Sequence, residues 1–358
     1  MVSSSVTRKL LLHLKPVTDS GPIRLQIFID ILLIGLYMAR IAVTDGLDSS
    51  AVKQLRTLGH EVVENHFSSD ELLSGALGEF DAVIVRSATK MTASVIRASS
   101  GLSFIGRGGV GVDNIDVAVA TENHIVVCNT PGASTHSVVE LTIGHLLASC
   151  RHIPRGDRGL RDSLWEKKAL KGTELAGKRL GFIGFGRIAQ GVAKIALAFG
   201  MELHAYDPYL PDEIARQNNC TLHTDVNTIF RLCTHISIHC NLTEETHHLV
   251  NASRMDMMPG TGFDGVNCGN HLVNCARGGI VNEKDALAAL ESGQLSSVAL
   301  DVFEIEPAGD NPLLQHPHFH GTPHIGAATA EAQSRIGSEM ITLLVAHFNG
   351  ERPHSTLN

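Results

Sequence analysis

The sequence lacks the features that mark a secreted or membrane protein. Its seven cysteines are scattered and odd in number, and no two have the C-x-x-C spacing, which argues for a reducing compartment. An apolar run at residues 25–37 is broken by Asp30 and is shorter than the roughly 20 residues that a membrane span requires. We therefore expect a cytoplasmic protein without a membrane partner.

The sequence also lacks a basic patch for nucleic acid. Its net charge is −8, which would repel a phosphate backbone, and no basic run is interleaved with aromatic residues, which make up 4% of the chain. Apolar residues account for 43% and charged residues for 18%, as in ordinary folded proteins. The negative charge and the missing basic run therefore predict no nucleic-acid partner. A chain of 358 residues is long enough for two sizeable domains.

Residues 1–37 fit poorly with the rest of the sequence. Arg8 and Lys9 precede apolar residues, as in a signal or transit peptide, but no small-residue cleavage site follows them. Met38 stands directly before a good first strand. We therefore favour the interpretation that translation starts at Met38.

Short β-branched runs alternate with amphipathic stretches in two series, which begin at residues 41 and 179. Such alternation indicates parallel sheets with crossover helices, so we predict two doubly wound α/β domains. A long helix is predicted at residues 135–151, and a last helix at 327–348 is free to return to the first domain. The predicted strands are residues 41–44, 82–85, 104–107, 125–129, 179–183, 202–206, 235–239, 271–274 and 297–301.

A glycine turn, GFIGFGRIAQGVA at residues 181–193, follows a predicted strand and opens a helix. Gly184 permits the tight turn, and Gly186 lets backbone N–H groups approach a pyrophosphate. The helix begins near Arg187 and Ile188, where the positive end of its dipole faces the phosphates. The turn therefore predicts a dinucleotide site.

Asp207 ends the next predicted strand, at the distance from Gly186 that a ribose-binding acid requires. Its carboxylate is suited to bond the ribose hydroxyls and to repel a 2′-phosphate, so we predict NAD rather than NADP. A glycine turn alone is weak evidence, because ordinary strand-to-helix turns also contain glycine. The strand, the turn, the helix and the acidic residue together favour a cofactor site.

Three further motifs each follow a strand or strand-like run: VNCARGGIV at residues 273–281, ALDVFEIEP at 299–307 and TPHIGAAT at 322–329. In doubly wound sheets such positions lie at the carboxyl edge, where ligands bind. The motifs therefore place polar side chains beside the predicted cofactor.

Reduction of a 2-oxo acid needs a cation for the carboxylate, an acid for the carbonyl oxygen, and a group that keeps that acid charged. Arg277 offers a planar fork to a carboxylate. His324 offers an imidazole, the side chain best suited to give and take a proton at physiological pH, and Glu306 would favour its imidazolium form. Asp301 is a candidate for orienting the nicotinamide. These residue types predict a dehydrogenase that acts on a hydroxyacid.

From Met38 onward the chain resembles the D-isomer-specific 2-hydroxyacid dehydrogenase family, and within it the branch that oxidises D-3-phosphoglycerate. The resemblance implies NAD-dependent oxidation of D-3-phosphoglycerate to 3-phosphohydroxypyruvate, the first step of L-serine biosynthesis. Besides residues 273–281, it is carried by IVRSATK at 84–90, GRGGVGVDNID at 106–116, NTPG at 129–132 and EAQSRIG at 331–337.

The resemblance also implies roles for single residues. Arg277, Glu306 and His324 would be catalytic, with Arg277 also binding the substrate. Arg86 and Arg107 match basic residues that would meet the phosphate of the substrate. Other residues matched to the substrate site are Ser87 and Gly108, and those matched to the cofactor site are Val110, Cys240, Cys275, Ala276, Asp301 and Gly326.

The resemblance further implies how the domains are arranged. A Rossmann NAD-binding domain, residues 138–323, is inserted into a flavodoxin-like substrate-binding domain formed by residues 38–137 and 324–358, and residues 1–37 are an extension. We expect a homodimer built on the nucleotide domains, with Arg151 as a weaker candidate that reaches substrate across the dimer. Longer family members carry a regulatory C-terminal extension, which this chain is expected to lack.

Four departures from the family pattern stand near these sites. Cys240 lies in a dipeptide that is often Thr-Pro in the family, Val110 replaces a threonine and Ser134 replaces an asparagine. Residues 261–270, TGFDGVNCGN, are extra sequence ahead of Arg277 and represent a loop insertion or the product of a splicing or gene-model error. A polar, glycine-rich segment should loop out at modest entropic cost. If it displaced the strand, Arg277 would move and activity would fall.

Two other interpretations concern metals and function. Four histidines crowd at residues 316, 318, 320 and 324, but their spacing matches neither a helical pair nor a zinc set with cysteines, so we expect no metal.

The alternative functions are a glyoxylate or hydroxypyruvate reductase of the same family and an NAD-sensing, corepressor-like binding protein. The basic side chains at Arg86 and Arg107 favour a phosphorylated substrate.

Overall fold

The computed structural model describes residues 38–358, in which twelve strands form two sheets and neighbouring strands are all parallel. The predictions for residues 1–37 lie outside this range. The strands are β1 (Arg40–Val43), β2 (Glu61–Glu64), β3 (Ala82–Val85), β4 (Phe104–Arg107), β5 (Val126–Asn129), β6 (Arg179–Ile183), β7 (Glu202–Tyr206), β8 (Cys220–His223), β9 (His235–Ile238), β10 (His271–Asn274), β11 (Ser297–Leu300) and β12 (Phe319–Gly321).

The first sheet has five strands in the order β2-β1-β3-β4-β5, which is the flavodoxin-like order. Strands β3 and β4 are buried along their whole length because helices cover both faces, which explains the continuous apolar sequence AVIV of β3. The helices that connect these strands are α1 (Ser49–Thr57), α2 (Ser69–Leu73), α3 (Ala93–Ala98) and α4 (Val117–Glu122).

Side chains just before these four helices fix where the helices begin. Asp48 accepts hydrogen bonds from the backbone N–H groups of Ser50 and Ala51 at the start of α1. Ser68 and Glu71 form a capping box at the start of α2, in which each side chain accepts from the backbone of the other residue. Helix boundaries in this sheet therefore follow from local sequence.

The second sheet has seven strands in the order β12-β11-β10-β9-β6-β7-β8. Counted from β6, this is the 3-2-1-4-5-6 order of a Rossmann fold with a seventh strand at one edge. The predicted fold class is thus confirmed. The helices around this sheet are α5 (Thr135–Cys150), α6 (Ile153–Arg161), α7 (Arg187–Ala198), α8 (Asp212–Gln217), α9 (Val226–Leu232), α10 (Ala252–Met255) and α11 (Glu283–Glu291), with a 3₁₀ turn at Pro312–Gln315.

The chain crosses between the two sheets twice. Helix α5 leaves the first sheet after β5 and packs against α7 and β10 of the second sheet. The last helix, α12 (Ala330–Phe348), returns to the first sheet, where Met340 and Leu343 share a core with Ile41 and Phe104. The crossings touch, since Ser137 Oγ lies 2.7 Å from Thr329 Oγ1.

The extra residues 261–270 fold outside the second sheet. Thr261 forms an antiparallel bridge with Asn267, and Asp264 forms an ion pair with the buried ammonium group of Lys178. Strand β10, which follows at once, keeps its parallel pairing with both β9 and β11. The segment therefore loops out and leaves the strand that leads to Arg277 in place.

Three strands were missed by the sequence analysis: β2, β8 and β12, which are all edge strands. Their residues are partly exposed, so their sequences EVVE, CTLH and FHG lack the apolar run that marks an interior strand. The predicted last helix begins at Ala330 instead of residue 327, because the Thr329 side chain caps it by accepting from the backbone N–H of Ala332. No helix within residues 38–358 combines the length and apolar character that a bilayer crossing demands.

We predict that Gly337→Ala destabilises the protein through the contact between α12 and α1. A Cβ at position 337 would lie 2.6 Å from the Cβ of Ala51, so the two helices would have to separate. Overpacking destabilises a protein by about 1 to 3 kcal/mol, whereas the higher helix propensity of alanine stabilises it by about 1 kcal/mol. The free energy of unfolding, measured by urea denaturation, should therefore fall by about 1 kcal/mol.

The matched control is Gly144→Ala on α5, where a Cβ would have no atom within 4 Å. This change should raise the free energy of unfolding by up to about 1 kcal/mol, because alanine is the better helix former. Equal effects of the two substitutions would show that Gly337 is not a packing contact.

Candidate active site

A cleft lies between the two sheets, with an empty volume of about 830 Å³ that includes open solvent. Many of its lining residues directly follow strands β3, β4, β9, β10 and β11, at the carboxyl ends where ligands bind in such sheets. The predicted site residues among its lining are Arg86, Ser87, Arg107, Gly108, Val110, Ile188, Cys240, Cys275, Ala276, Arg277, Asp301, His324 and Gly326.

The glycine turn that joins β6 to α7 lies beside this cleft. Gly184 has φ of +83°, and a Cβ there would lie 2.7 Å from the backbone nitrogen of Cys240, so only glycine fits without a shift. A Cβ at Gly186 would meet nothing within 4 Å, and Gly186 and Arg187 are both exposed at the start of α7. Exposed N–H groups at a helix N-terminus fit a pyrophosphate.

Asp207 follows β7 and faces the same turn. Its carboxylate accepts hydrogen bonds from the backbone N–H groups of Phe185 at 2.9 Å and Tyr209 at 3.0 Å. Each carboxylate oxygen has a second lone pair, which remains for a ribose hydroxyl. The residues of the turn and Asp207 therefore fit a dinucleotide.

Asp301 is a buried carboxylate at the end of β11. It accepts hydrogen bonds from the Thr322 hydroxyl at 2.6 Å and from the backbone N–H groups of Ile325 and Gly326, both at 2.8 Å. These donors flank His324, whose backbone is left-handed with φ of +52°. Asp301 therefore holds the loop that presents the histidine to the cleft.

The imidazole of His324 and the carboxylate of Glu306 form the predicted pair. His324 Nδ1 lies 2.8 Å from Glu306 Oε2, and Glu306 Oε1 accepts from the backbone N–H of Phe303. Partial burial raises the pKa of Glu306, but the hydrogen bond and charge of His324, the Phe303 N–H and the charge of Arg277 outweigh it, so the pKa lies below its ordinary value. Glu306 is thus a carboxylate near neutral pH.

Three guanidinium groups face the cleft. Arg277 Nε donates to Asp113 Oδ1 at 2.9 Å, and this ion pair joins the two domains. Arg86 donates to the neutral side chain of Gln333 at 2.8 Å, and Arg107 donates to the neutral hydroxyl of Ser87 at 3.1 Å. The cleft therefore concentrates positive charge.

Arg107 is the most strongly perturbed of the three arginines. Burial, followed by repulsion from Arg277, lowers the pKa of its guanidinium to about 10, although Asp113 acts in the opposite direction. Its Nε atom is buried without a hydrogen-bond partner. A bound anion would relieve both the desolvation and the repulsion.

Two glycines of the motif at residues 106–116, Gly109 and Gly111, make room for these arginines. A Cβ at Gly109 would overlap the guanidinium of Arg107, and a Cβ at Gly111 would overlap that of Arg277. Asp113, in the same segment, was missed as the partner of Arg277. The spacing of GRGGVGVD was the available signal, but its meaning depends on where Arg277 arrives from the other domain.

The remaining predicted residues are placed as follows. Burial raises the pKa of the Cys240 thiol to about 11 and that of Cys275 to about 12, so both stay protonated and are poor nucleophiles. Arg151 lines a groove with residues such as Glu174 and Phe199 and does not line the cleft. The histidines at residues 316–324, which are close in sequence, do not form one site. His318 and His320 line a different pocket from the cleft that His324 lines.

Comparison with known proteins identifies related sequences. The model of the D-isomer specific 2-hydroxyacid dehydrogenase NAD-binding domain matches residues 143–326. The D-3-phosphoglycerate dehydrogenase of Methanocaldococcus jannaschii is 42% identical over 321 residues, which are 90% of this chain and 60% of that protein. The hydroxypyruvate reductase of Thermotoga maritima is 46% identical over 306 residues, which are 84% of this chain and 96% of that protein.

Solved structures show the same architecture. The D-lactate dehydrogenase of Aquifex aeolicus, crystallised with NAD and lactic acid, aligns with a TM-score of 0.76 at 25% identity and covers 87% of this chain and 96% of its own. The chain thus matches nearly the whole of this structure and of the Thermotoga protein, but 60% of the length of the Methanocaldococcus protein.

We predict that Asp301→Asn lowers the free energy of unfolding by about 1 to 3 kcal/mol, because the amide NH₂ cannot accept and leaves a buried donor unpaired. The measurement is guanidinium denaturation. Asp225→Asn is the control, since Asp225 caps α9 by accepting from the backbone N–H of Asn227 and asparagine caps equally well. If both variants kept the wild-type stability, the three hydrogen bonds would not anchor the loop.

Proposed function

Because the chain belongs to the D-isomer specific 2-hydroxyacid dehydrogenase family, we propose that it oxidises D-3-phosphoglycerate to 3-phosphohydroxypyruvate with NAD, the first step of L-serine biosynthesis. The observation that carries the proposal is the convergence of Arg86, Arg107 and Arg277 on the cleft that holds His324. The substrate has two anionic groups, a carboxylate and a phosphate. Three arginines match that charge better than they match a lone carboxylate.

The proposal divides the arginines between the two anionic groups. Arg277 follows β10 of the second sheet, lines the same cleft as His324, and would bind the carboxylate next to the reacting carbon. Arg86 and Arg107 belong to the first sheet and would bind the phosphate. Their hydrogen bonds go to neutral side chains, and the carboxylates of Asp45 and Asp113 act on them only through space, so both guanidinium groups can still pair with an anion.

The proposed chemistry of the chain is proton transfer. His324, as the neutral base, accepts the proton of the substrate C2 hydroxyl, and the Glu306 carboxylate stabilises the resulting imidazolium. NAD, when bound, supplies the oxidising power by accepting the hydrogen of C2 with its electron pair. The residues that would hold NAD are Gly184, Gly186, Arg187, Ile188, Val110, Asp207, Cys240, Cys275, Ala276, Asp301 and Gly326.

A second candidate is reduction of hydroxypyruvate or glyoxylate. It is favoured by the 46% identity to the Thermotoga hydroxypyruvate reductase, of which the chain covers 96%. In this reaction His324 would act in reverse, as the imidazolium that protonates the carbonyl oxygen, and Arg86 would have no phosphate to bind. An NAD-sensing binding protein remains the third alternative.

Other features stay as proposals that accompany the function. We place the domain boundaries after residues 137 and 323, close to the contact between Ser137 and Thr329. We also propose a homodimer built on the nucleotide domains, in which Arg151 would serve the partner subunit, and a cytoplasmic location without nucleic-acid or membrane partners.

We predict that His324→Ala lowers kcat for 3-phosphoglycerate oxidation by about 100-fold to 10,000-fold, since it removes the base but leaves the cofactor turn intact. NADH formation measures turnover, and a fluorescence titration measures NAD binding, which should persist. His66→Ala, an exposed histidine of the first domain, is the control and should keep wild-type rates. Near-normal turnover by His324→Ala would contradict the assigned base.

We predict that Arg86→Met raises KM for 3-phosphoglycerate by about 10-fold to 100-fold, the effect of losing a hydrogen bond to a charged group. The KM for unphosphorylated glycerate should stay unchanged, which makes glycerate the internal control. Arg97→Met, at an exposed arginine, should change neither constant.

The same assays separate the alternatives. An equal loss for glycerate and 3-phosphoglycerate would show that Arg86 does not bind the phosphate. Turnover of hydroxypyruvate or glyoxylate by the wild type without turnover of 3-phosphoglycerate would favour the second candidate. NAD binding without turnover of any of these substrates would favour the binding protein.

A further inference from the structure

A second cluster of reactive side chains lies at the amino edge of the Rossmann sheet, at the opposite ends of its strands from the cleft. His235 and His271 are the first residues of β9 and β10, and the two are register partners. Cys150 is the last residue of α5, and its thiol lies beside these two histidines. Cys150 and His271 are each 2% exposed and His235 is fully buried.

The geometry of this cluster suits a metal ion. Cys150 Sγ donates to the Leu146 carbonyl at 3.0 Å and lies 3.5 Å from His235 Nε2, and the His271 ring stacks on the His235 ring with centroids 4.6 Å apart. One ligand atom from each residue lies within 4.8 Å of the others. Zinc bonds of about 2.3 Å to sulfur and about 2.0 Å to nitrogen, at a tetrahedral angle, place such ligand atoms about 3.5 Å apart.

Nδ1 of His235 and both nitrogens of His271 already have hydrogen-bond partners, so His271 would exchange one of its two for the ion. His235 Nδ1 lies 3.0 Å from the Thr234 hydroxyl, and the His271 nitrogens lie 2.7 Å from the Ser297 hydroxyl and 3.0 Å from the Cys268 carbonyl. A metal-bound histidine usually keeps such a partner on its second nitrogen, which fixes the ring. Whichever nitrogen of His271 turns to an ion, the other keeps a hydroxyl or a carbonyl.

The candidate for a fourth ligand is Cys268, which belongs to the extra residues 261–270. Its side chain is buried, and its backbone carbonyl is the group that contacts His271. The Cys268 thiol now donates to the Gly269 carbonyl at 3.5 Å and lies outside the group of ligand atoms that meet, so it would turn toward His271 to bind the ion. Two cysteines and two histidines form a common ligand set for structural zinc.

We propose that Cys150, His235, His271 and Cys268 bind one zinc ion. Binding displaces the protons of both thiols, which leave as the two sulfur–zinc bonds form, so the ion gains two thiolate ligands. The ion ties the extra segment to the end of α5 and to the first residues of β9 and β10. This proposal revises the expectation of no metal, which considered only the histidines at residues 316–324.

The first test is the metal content of the purified full-length protein. Mass spectrometry of the metals should find about one zinc ion per chain in the wild type and less than about a tenth of that in Cys150→Ser. Cys220→Ser is the control, because Cys220 is a buried thiol of the same sheet outside the cluster. Equal zinc loss in the two variants, or wild-type protein without zinc, would overturn the proposal.

A second test uses the wild type alone and decides the question even if Cys150→Ser does not fold. Protein refolded with zinc should melt several degrees higher than protein refolded with a chelator. Protein refolded with Co²⁺ should show the charge-transfer band of a cobalt–thiolate bond. Identical melting temperatures, together with no such band, would show that the cluster is a hydrogen-bonded core without an ion.

Discussion

The rest of the candidate active site depends on the hydrogen bonds that the buried carboxylate of Asp301 accepts. A charge that leaves water needs donors in its place, and Asp301 has three, all supplied by the segment around His324. The left-handed backbone of His324 is a conformation that a side chain adopts at a cost, and the hydrogen bonds to Asp301 offset it. Thr322 also contacts His145 on α5 at 3.3 Å, so the loop is braced from the helix as well.

The charge of the cleft follows from the way the two domains meet. Arg277 reaches from the second sheet to Asp113 beside the first, and the glycines at 109 and 111 leave room for two guanidinium groups. Burial, followed by repulsion from Arg277, lowers the pKa of Arg107, and the fold must be stabilised elsewhere to hold such a group. A site that holds such repulsion without a ligand is prepared for an anion.

How far the sequence predicts this protein depends on the kind of feature. Interior strands such as β3 and β10 are buried along their whole length and were predicted, whereas the edge strands β2, β8 and β12 are partly exposed and were missed. The glycine turn could be predicted as a dinucleotide site because its residues are contiguous. Asp113 and Gln333 were missed because their partners come from distant parts of the chain. The cluster of Cys150, His235 and His271 could not be predicted from sequence spacing. It forms because β9 and β10 pair in a register that places the two histidines side by side, next to the end of α5.

The return of the last helix to the first sheet has a consequence for the order in which the chain folds. Helix α12 supplies Met340, Ile341, Leu343 and Leu344 to a core that also contains β1 and β4. During synthesis on the ribosome, that apolar surface stays uncovered while the whole Rossmann domain is made. The first domain is therefore the last to be completed. Until α12 is made, its uncovered apolar surface can aggregate, and a chaperone would protect the nascent chain at this stage.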